Sequence, residues 1–142
     1  MPLPESIHLE VVTPDKRVVS EVVDTVVLPG SEGSLGVLPG HTPLLTTLGI
    51  GELTFSRGAT KSYVAIAWGF AEVLPDRVSV LAEIAERAEG IDRERAAQAR
   101  DRAMKRLRER PADTDFGRAQ VSLQKAIIRL QISQGIGPNE ST

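Results

Sequence analysis

Apolar and polar residues alternate in the first eighty positions with the period of β-strands. Ile7, Leu9 and Val11 alternate with His8 and Glu10, which is typical of a strand with one buried face. A second run, 22–28, is rich in valine and predicts another strand. The first part of the sequence therefore predicts β-structure.

Turn signals separate the later strands. Residues 53–55 and 63–66 flank a loop that contains Gly58, which predicts a hairpin. Residues 70–74 and 78–81 flank Pro75-Asp76, and proline pre-sets its backbone angle for such a turn. The same Pro-Asp pair occurs in Thr13-Pro14-Asp15-Lys16 and predicts another turn. No strand–helix–strand alternation occurs, so we expect an antiparallel sandwich or barrel.

The pattern changes to a helical period near residue 90. Asp92 is placed to cap a helix whose apolar stripe consists of Ala96, Ala99, Ala103 and Leu107. Pro111 ends it, because proline lacks the donor that a helix interior needs. A second helix, capped by Asp113 or Thr114, carries the stripe Phe116, Ala119, Leu123, Ala126, Ile127 and Leu130. Two antiparallel helices with a mostly alanine seam are predicted.

Charge and glycine content divide the 142 residues in the same way. Residues 1–82 hold five basic and nine acidic side chains, whereas residues 83–142 hold twelve basic and ten acidic. Eight of the twelve glycines lie in the first part. We therefore predict a β-sandwich over 1–88, a helical hairpin over 89–134 and a disordered tail over 135–142.

Composition also excludes several kinds of chemistry. Without cysteine, and with only two histidines, thiol catalysis, disulfides and a metal site are not expected. No phosphate-binding loop, zinc-protease motif or serine-hydrolase motif is present, so an enzyme is not expected. No apolar run is long enough to span a membrane, and no signal peptide is recognised. A net charge of −2 and few aromatic residues argue against a nucleic-acid partner.

Three local features each allow two interpretations. The basic set of the first helix is either a solvated face, with pairs such as Asp101–Lys105, or a surface for an acidic partner; its members are Arg100, Arg102, Lys105, Arg106 and Arg108. Asp92 is either a cap alone or part of an anion site with Arg95 and Arg102, which lie two helical turns apart. The glycines at 30, 33, 36 and 40 indicate turns rather than a phosphate site.

The segment Gly30-Ser31-Glu32-Gly33-Ser34-Leu35-Gly36-Val37-Leu38-Pro39-Gly40-His41-Thr42-Pro43-Leu44-Leu45 resembles the signature of the epsilon subunit of F-type ATP synthase. The chain start 9–15, the junction 78–88 and the helix start at Asp115-Phe116 resemble that family as well. The resemblance covers about residues 6–132. It implies a sandwich of about ten antiparallel strands followed by a two-helix hairpin. Trp68 departs from the family, which usually has glycine there.

The resemblance implies a non-catalytic rotor subunit of the central stalk, which couples proton translocation to rotation. The sandwich would bind the gamma subunit and the c-ring, with Glu32 and Ser34 facing the ring and His41 near gamma. Family members often have a carboxylate at the position of Ser34. The hairpin would extend toward the beta and alpha subunits and inhibit ATP hydrolysis through the basic set. Such a subunit lies on the cytoplasmic side of the bacterial inner membrane, peripherally.

Some bacterial members bind ATP as a regulatory ligand, and this chain matches their motif in 91–96. The corresponding positions are Glu86, Ile91, Asp92, Arg95, Arg102, Lys125 and Arg129. Lys125 replaces an arginine of known binders and lacks the planar fork that grips phosphate. No other cofactor is implied. The alternative interpretation of the whole chain is a stand-alone sandwich that binds other proteins and carries a helical oligomerisation arm.

Overall fold

A computed structural model describes residues 3–109 and 115–133. Seven strands come first, then a turn of 3₁₀-helix at Ala88–Gly90, then two α-helices. The strands are β1 Ile7–Val12, β2 Arg17–Val23, β3 Thr25–Gly30, β4 Gly33–Val37, β5 Leu44–Arg57, β6 Thr60–Leu74 and β7 Arg77–Arg87. The helices are α1 Arg93–Glu109 and α2 Phe116–Ser133. The predicted order of a β-sandwich followed by a helical pair is confirmed.

All seven strands form one sheet, in the order β2-β1-β7-β6-β5-β3-β4. Every neighbouring pair is antiparallel except β1 and β7, which run parallel. One face of this sheet closes on a single apolar core to which every strand contributes, including Leu9, Leu28 and Leu53. The parallel pair was not predicted, because local pattern does not reveal which distant strands become neighbours.

The predicted turns lie where their residue types require. Gly58-Ala59 joins β5 to β6, and Gly58 has the positive φ of 60° that the tight turn needs. Pro75-Asp76 joins β6 to β7. The prediction of one strand over 22–28 is wrong, because the chain breaks at Asp24. The Asp24 carboxylate accepts a hydrogen bond of 2.6 Å from the Gly58 amide, which separates β2 from β3.

The sheet bends along a line across β5, β6 and β7. In each of these strands the spacing between inward-facing residues changes from two to an odd number, so the inward face switches sides. The residues that flank the switch are Leu48 and Leu53 in β5, Ile66 and Ala71 in β6, and Ala82 and Ala85 in β7. The strand count of about ten is corrected to seven: counting each bent strand as two yields ten.

Gly69 lies on this bend and has no room for a side chain. Its φ is +141°, and a Cβ atom there would lie 2.1 Å from the carbonyl oxygen of Leu81. Neighbouring Trp68 has a φ of 59°, in the left-handed region that bulky residues avoid. The bend therefore depends on two consecutive residues with unusual backbone angles.

Both helices begin with an aspartate cap. Asp92 Oδ1 accepts a hydrogen bond of 3.1 Å from the Arg95 amide, as predicted. Asp115 Oδ1 accepts one of 3.1 Å from the Arg118 amide, so the cap of α2 is Asp115 rather than Asp113 or Thr114. Pro111, Asp113, Thr114 and the predicted tail 135–142 lie outside the described residues.

The hairpin lies folded against the sandwich. Helix α1 packs on α2, and α2 contacts β5 and β6. The seam between the helices is made of alanines, with Ala96, Ala103, Ala119 and Ala126 buried. A separate apolar cluster joins α2 to the sheet and includes Tyr63, Ala65, Ile91 and Ile132. No helix among the described residues is long and apolar enough to cross a membrane.

Candidate functional site

Three of the seven residues predicted for a nucleotide site meet between α2 and the sheet. Arg129 Nη2 donates a hydrogen bond of 2.9 Å to Glu86 Oε2 of β7. Lys125 lies one turn earlier on α2, and these three side chains line one small cavity. The rest of its lining is apolar, with Ala65, Ala67, Ile84 and Ile128 among it.

This cavity is small and partly open to solvent in the observed arrangement. Its volume is about 70 Å³, whereas pockets for small ligands commonly measure about 300–1,000 Å³. Both α2 cations and the Glu86 carboxylate are of the types that contact a nucleotide's phosphates and ribose. The cavity as observed is therefore too small to hold a whole nucleotide.

The other four predicted residues do not line the cavity. Ile91 packs in the apolar cluster with Tyr63 and Ile132. The Asp92 carboxylate caps α1. Arg95 and Arg102 are exposed on α1. The folded chain thus brings together the sheet and α2 members of the predicted set, and leaves the α1 arginines in solvent.

Two contacts of the hairpin were missed from the sequence. The Lys125 ammonium lies 4.4 Å from the centroid of the Trp68 ring, within the range of a cation–π interaction. The Arg93 guanidinium donates two hydrogen bonds, of 3.2 and 2.5 Å, to the Ser133 carbonyl at the end of α2. No local signal joins these residues, because their partners are far away along the chain.

The basic set of α1 faces solvent. Arg102, Lys105, Arg106 and Arg108 are exposed, and Arg100 is half-buried. Asp101 Oδ1 accepts a hydrogen bond of 3.2 Å from Arg100 Nε. A positively charged helix face is therefore available at the outer side of the hairpin.

The three residues predicted to face the rotor lie on two separate loops. Glu32 is exposed in the turn between β3 and β4, and Ser34 is exposed next to it on β4. This turn adjoins the middle of β5, since the Ser31 amide donates to the Thr47 carbonyl. His41 lies in the loop before β5, where its Nδ1 is 2.7 Å from the Thr42 carbonyl oxygen. Leu44, where β5 begins, and Thr47 are about 10 Å apart along the strand.

An apolar groove occupies the outer face of the sheet beyond the bend. Its volume is about 570 Å³, and its lining includes Trp68, Phe70 and Leu81. Phe70 and Leu81 are cross-strand neighbours and are 55% and 62% exposed. Leu45 lies nearby on β5 and is 71% exposed. Contiguous exposed apolar residues of this kind mark a surface for another protein. Each residue alone looked like an ordinary strand position in the sequence.

Family models match the two halves of the chain. Residues 6–88 match the β-sandwich domain of the ATP synthase delta/epsilon chain, and residues 89–134 match its long α-helix domain. Together these matches cover the sheet and both helices.

Individual relatives agree with the family models. An ATP synthase epsilon chain of Syntrophobacter fumaroxidans is 52% identical over 130 residues, which are 92% of this chain and 97% of the relative. An ATP synthase epsilon chain of Nitratidesulfovibrio vulgaris is 50% identical over 128 residues, which are 90% of this chain and 96% of the relative.

Solved structures show the same fold. One chain in the Euglena gracilis mitochondrial ATP synthase structure, which contains OSCP, F1 and the c-ring, is similar with a TM-score of 0.75 and 26% identity. The similarity covers 94% of this chain and 84% of that one. A chain of the Tetrahymena thermophila mitochondrial ATP synthase central stalk and c-ring matches with a TM-score of 0.58 at 14% identity, which shows the fold alone. The chain therefore belongs to the delta/epsilon chain family of ATP synthases, as an epsilon subunit of the F-type enzyme.

Proposed function

We propose that this epsilon subunit is a non-catalytic part of the central-stalk rotor, which couples proton translocation to rotation and restrains ATP hydrolysis. In this proposal the sandwich, residues 1–88, binds the rotor, and the hairpin, residues 89–134, regulates the enzyme. The observation that carries it is the contrast between a firmly packed sandwich with an exposed apolar groove and a hairpin packed through alanines. We place the complex at the cytoplasmic side of a bacterial inner membrane, because the relatives reported above are bacterial.

The gamma subunit is the proposed occupant of the apolar groove. Phe70, Leu81 and Leu45 are each more than half exposed, and burying apolar surface is favourable by about 25 cal/mol per Å². His41 lies in the loop that leads into the same half of β5. The c-ring is the proposed partner of Glu32 and Ser34, because their turn is exposed and polar.

The hairpin is the proposed inhibitor of hydrolysis. Its α1 face carries the exposed basic set, which suits an acidic loop of the beta subunit at the interface with alpha. Reaching those subunits requires α2 to leave the sheet, and a small apolar cluster with two polar side-chain contacts opposes that departure only weakly. Two arrangements of similar free energy are the requirement for such a switch.

ATP is the proposed regulatory ligand of the folded arrangement, held by Glu86, Lys125 and Arg129 with Arg95 and Arg102 closing from α1. A ligand at a hundred times its Kd stabilises its preferred state by about 2.7 kcal/mol. Moving a population from 1:99 to 99:1 requires about 5.5 kcal/mol. Nucleotide therefore controls the hairpin only if the two arrangements already differ by a few kcal/mol or less.

The rotor and inhibition proposals are tested by reconstitution with gamma and the catalytic core. We expect the full chain and a chain that ends at Ala88 to bind gamma equally, because both retain the groove. We expect faster ATP hydrolysis with the shorter chain, because it lacks the basic helix. Equal hydrolysis rates would contradict the inhibitory role. Failure to bind gamma would favour the stand-alone binding module with an oligomerisation arm.

The nucleotide proposal is tested on the isolated subunit by calorimetry. Arg95→Ala should weaken ATP binding at least severalfold, because a charge-assisted hydrogen bond contributes about 1.5–3 kcal/mol. Arg118→Ala is the matched control, since Arg118 is exposed on α2 and outside the proposed set. Equal affinity in the two variants would remove Arg95 from the site.

A further inference from the structure

Trp68 has the only positive φ among the described residues other than glycine. Val64 and Ile66 point into the core, so strict alternation along β6 would send side chain 68 inward as well. The left-handed backbone reverses this, and the ring instead lies on the outer face, 36% exposed. An outlier of this kind in a bulky residue persists only where the surroundings hold it, and it is a reason to look for a role.

The ring lies against the hairpin. Lys125 of α2 places its ammonium 4.4 Å from the ring centroid, well inside the roughly 6 Å within which a cation is attracted to the face of tryptophan. Lys125 is half-buried, so part of its hydration has been replaced by the ring and the sheet. The contact joins the bend of the sheet directly to α2.

The next cation along α2 also has a partner on the sheet, although its Nε is buried without a hydrogen-bond partner. Arg129, one turn after Lys125, donates to the Glu86 carboxylate of β7. The sheet therefore offers an aromatic face to one cation and a carboxylate to the other. Each of the two cations therefore has one partner on the sheet.

We propose that Trp68 is a positioning residue for Lys125, whose ring receives the ammonium group and thereby holds α2 on the sheet without any bound anion. The inference goes beyond the nucleotide proposal and does not depend on it. It assigns a role to the strained backbone at the bend, because only the reversed side chain reaches α2. An aromatic ring at position 68 makes the folded hairpin partly independent of ligand.

The test is hydrogen exchange of the α2 amides in the full chain, in buffer without nucleotide. Trp68→Leu and Trp68→Phe are the matched pair, because both keep a Cβ atom on the same backbone while only phenylalanine keeps an aromatic face. We expect Trp68→Leu to lower α2 protection by about two- to fivefold. We expect Trp68→Phe to stay closer to the parent chain. Equal protection in the two variants would overturn the proposal.

Lys125 offers the reciprocal test, since it lies on the hairpin surface and its loss leaves the sheet core intact. Lys125→Gln should lower α2 protection by the same factor, and the double variant with Trp68→Leu should lower it no further. Losses that multiply in the double variant would contradict a shared contact. Exchange of the β1 amides serves as the reference for the sandwich. If Trp68→Leu also exposes β1, Lys125→Gln alone decides, and unchanged α2 protection in that variant refutes the proposal.

A spectroscopic readout separates this contact from simple packing. Trp68 is the single tryptophan of the chain, so its emission reports the environment of this ring alone. Lys125→Gln should change the emission, because it removes a charge from the ring face, whereas Gln124→Ala on the exposed side of α2 should not. Identical spectra for the parent chain and Lys125→Gln would contradict the proposal.

Discussion

The sandwich buries Leu9, Leu28 and Leu53 completely, whereas α1 buries only the methyl groups of Ala96 and Ala103. Full burial of a leucine side chain stabilises a fold by about 1.5–3 kcal/mol, and a single methyl group contributes about 0.8 kcal/mol. The sandwich therefore has a deep core of its own. The hairpin depends on a small apolar cluster, two aspartate caps and a few polar contacts.

This difference implies that the sandwich is rigid, whereas the hairpin can detach from it. A partner that docks on the groove meets a surface whose backbone is held by the core beneath it. A change in the hairpin, by contrast, requires the loss of contacts that are individually weak and partly exposed to water.

The largest effect is expected in the sandwich core. Leu9→Ala should lower the free energy of unfolding by about 2–5 kcal/mol, because it removes buried methyl groups and leaves a cavity. Urea unfolding followed by circular dichroism measures the change. Leu45→Ala, at an exposed position, is the control and should change the stability by no more than about 0.5 kcal/mol. Similar losses in both variants would remove the distinction between core and groove.

The bend should be nearly as sensitive. Gly69→Ala forces a Cβ atom to within 2.1 Å of the Leu81 carbonyl oxygen, so β6 and β7 must separate locally. We expect a loss of about 2–3 kcal/mol in the same unfolding measurement. Gly36→Ala is the control, because nothing lies within 4 Å of its added Cβ atom. A tolerated Gly69→Ala would show that the bend is not constrained as described.

A smaller effect, confined to the hairpin, is expected at the first cap. Asp92→Ala should destabilise α1 by about 1 kcal/mol, because the Arg95 amide loses its acceptor. Hydrogen exchange should report this loss in α1 while β1 stays protected. Asp92→Asn should retain the cap but lose the charge, so any further effect of asparagine on ATP affinity separates ligand binding from capping. Equal exchange in α1 of Asp92→Ala and the parent chain would contradict the assigned cap.

The smallest effect is expected for the ion pair between Arg129 of the hairpin and Glu86 of the sandwich. Glu86 and Arg129 are about a third exposed, so solvent weakens their attraction. Glu86→Gln should therefore lower the free energy needed to detach α2 from the sheet by at most about 1 kcal/mol. The difference in this free energy between the parent chain and Glu86→Gln should become smaller as salt is added, because salt screens the ion pair. Glu89→Gln, at a more exposed pair with Arg87, is the control. A loss that does not depend on salt would indicate packing rather than charge.

Local pattern predicted the parts of this fold that depend on neighbours along the chain. The Gly58 and Pro75-Asp76 turns, the cap at Asp92 and the alanine seam each follow from residues a few positions apart. The same reasoning missed the break at Asp24, since its carboxylate accepts a hydrogen bond from Gly58, which lies in the distant turn between β5 and β6. It also missed the reversed orientation of Trp68, because the neighbouring residue types do not predict a left-handed backbone at this position.

The candidate site divides in the same way. The motif at 91–96 and the resemblance to the epsilon subunit predicted the residues of a nucleotide site, because residue types and their spacing can be identified directly in the sequence. Only the tertiary structure shows that Glu86, Lys125 and Arg129 line one small cavity, whereas Arg95 and Arg102 are exposed. Periodicity and turn chemistry act over a few residues, whereas contacts such as Lys125 on Trp68 depend on how the bent sheet and the docked helix come together.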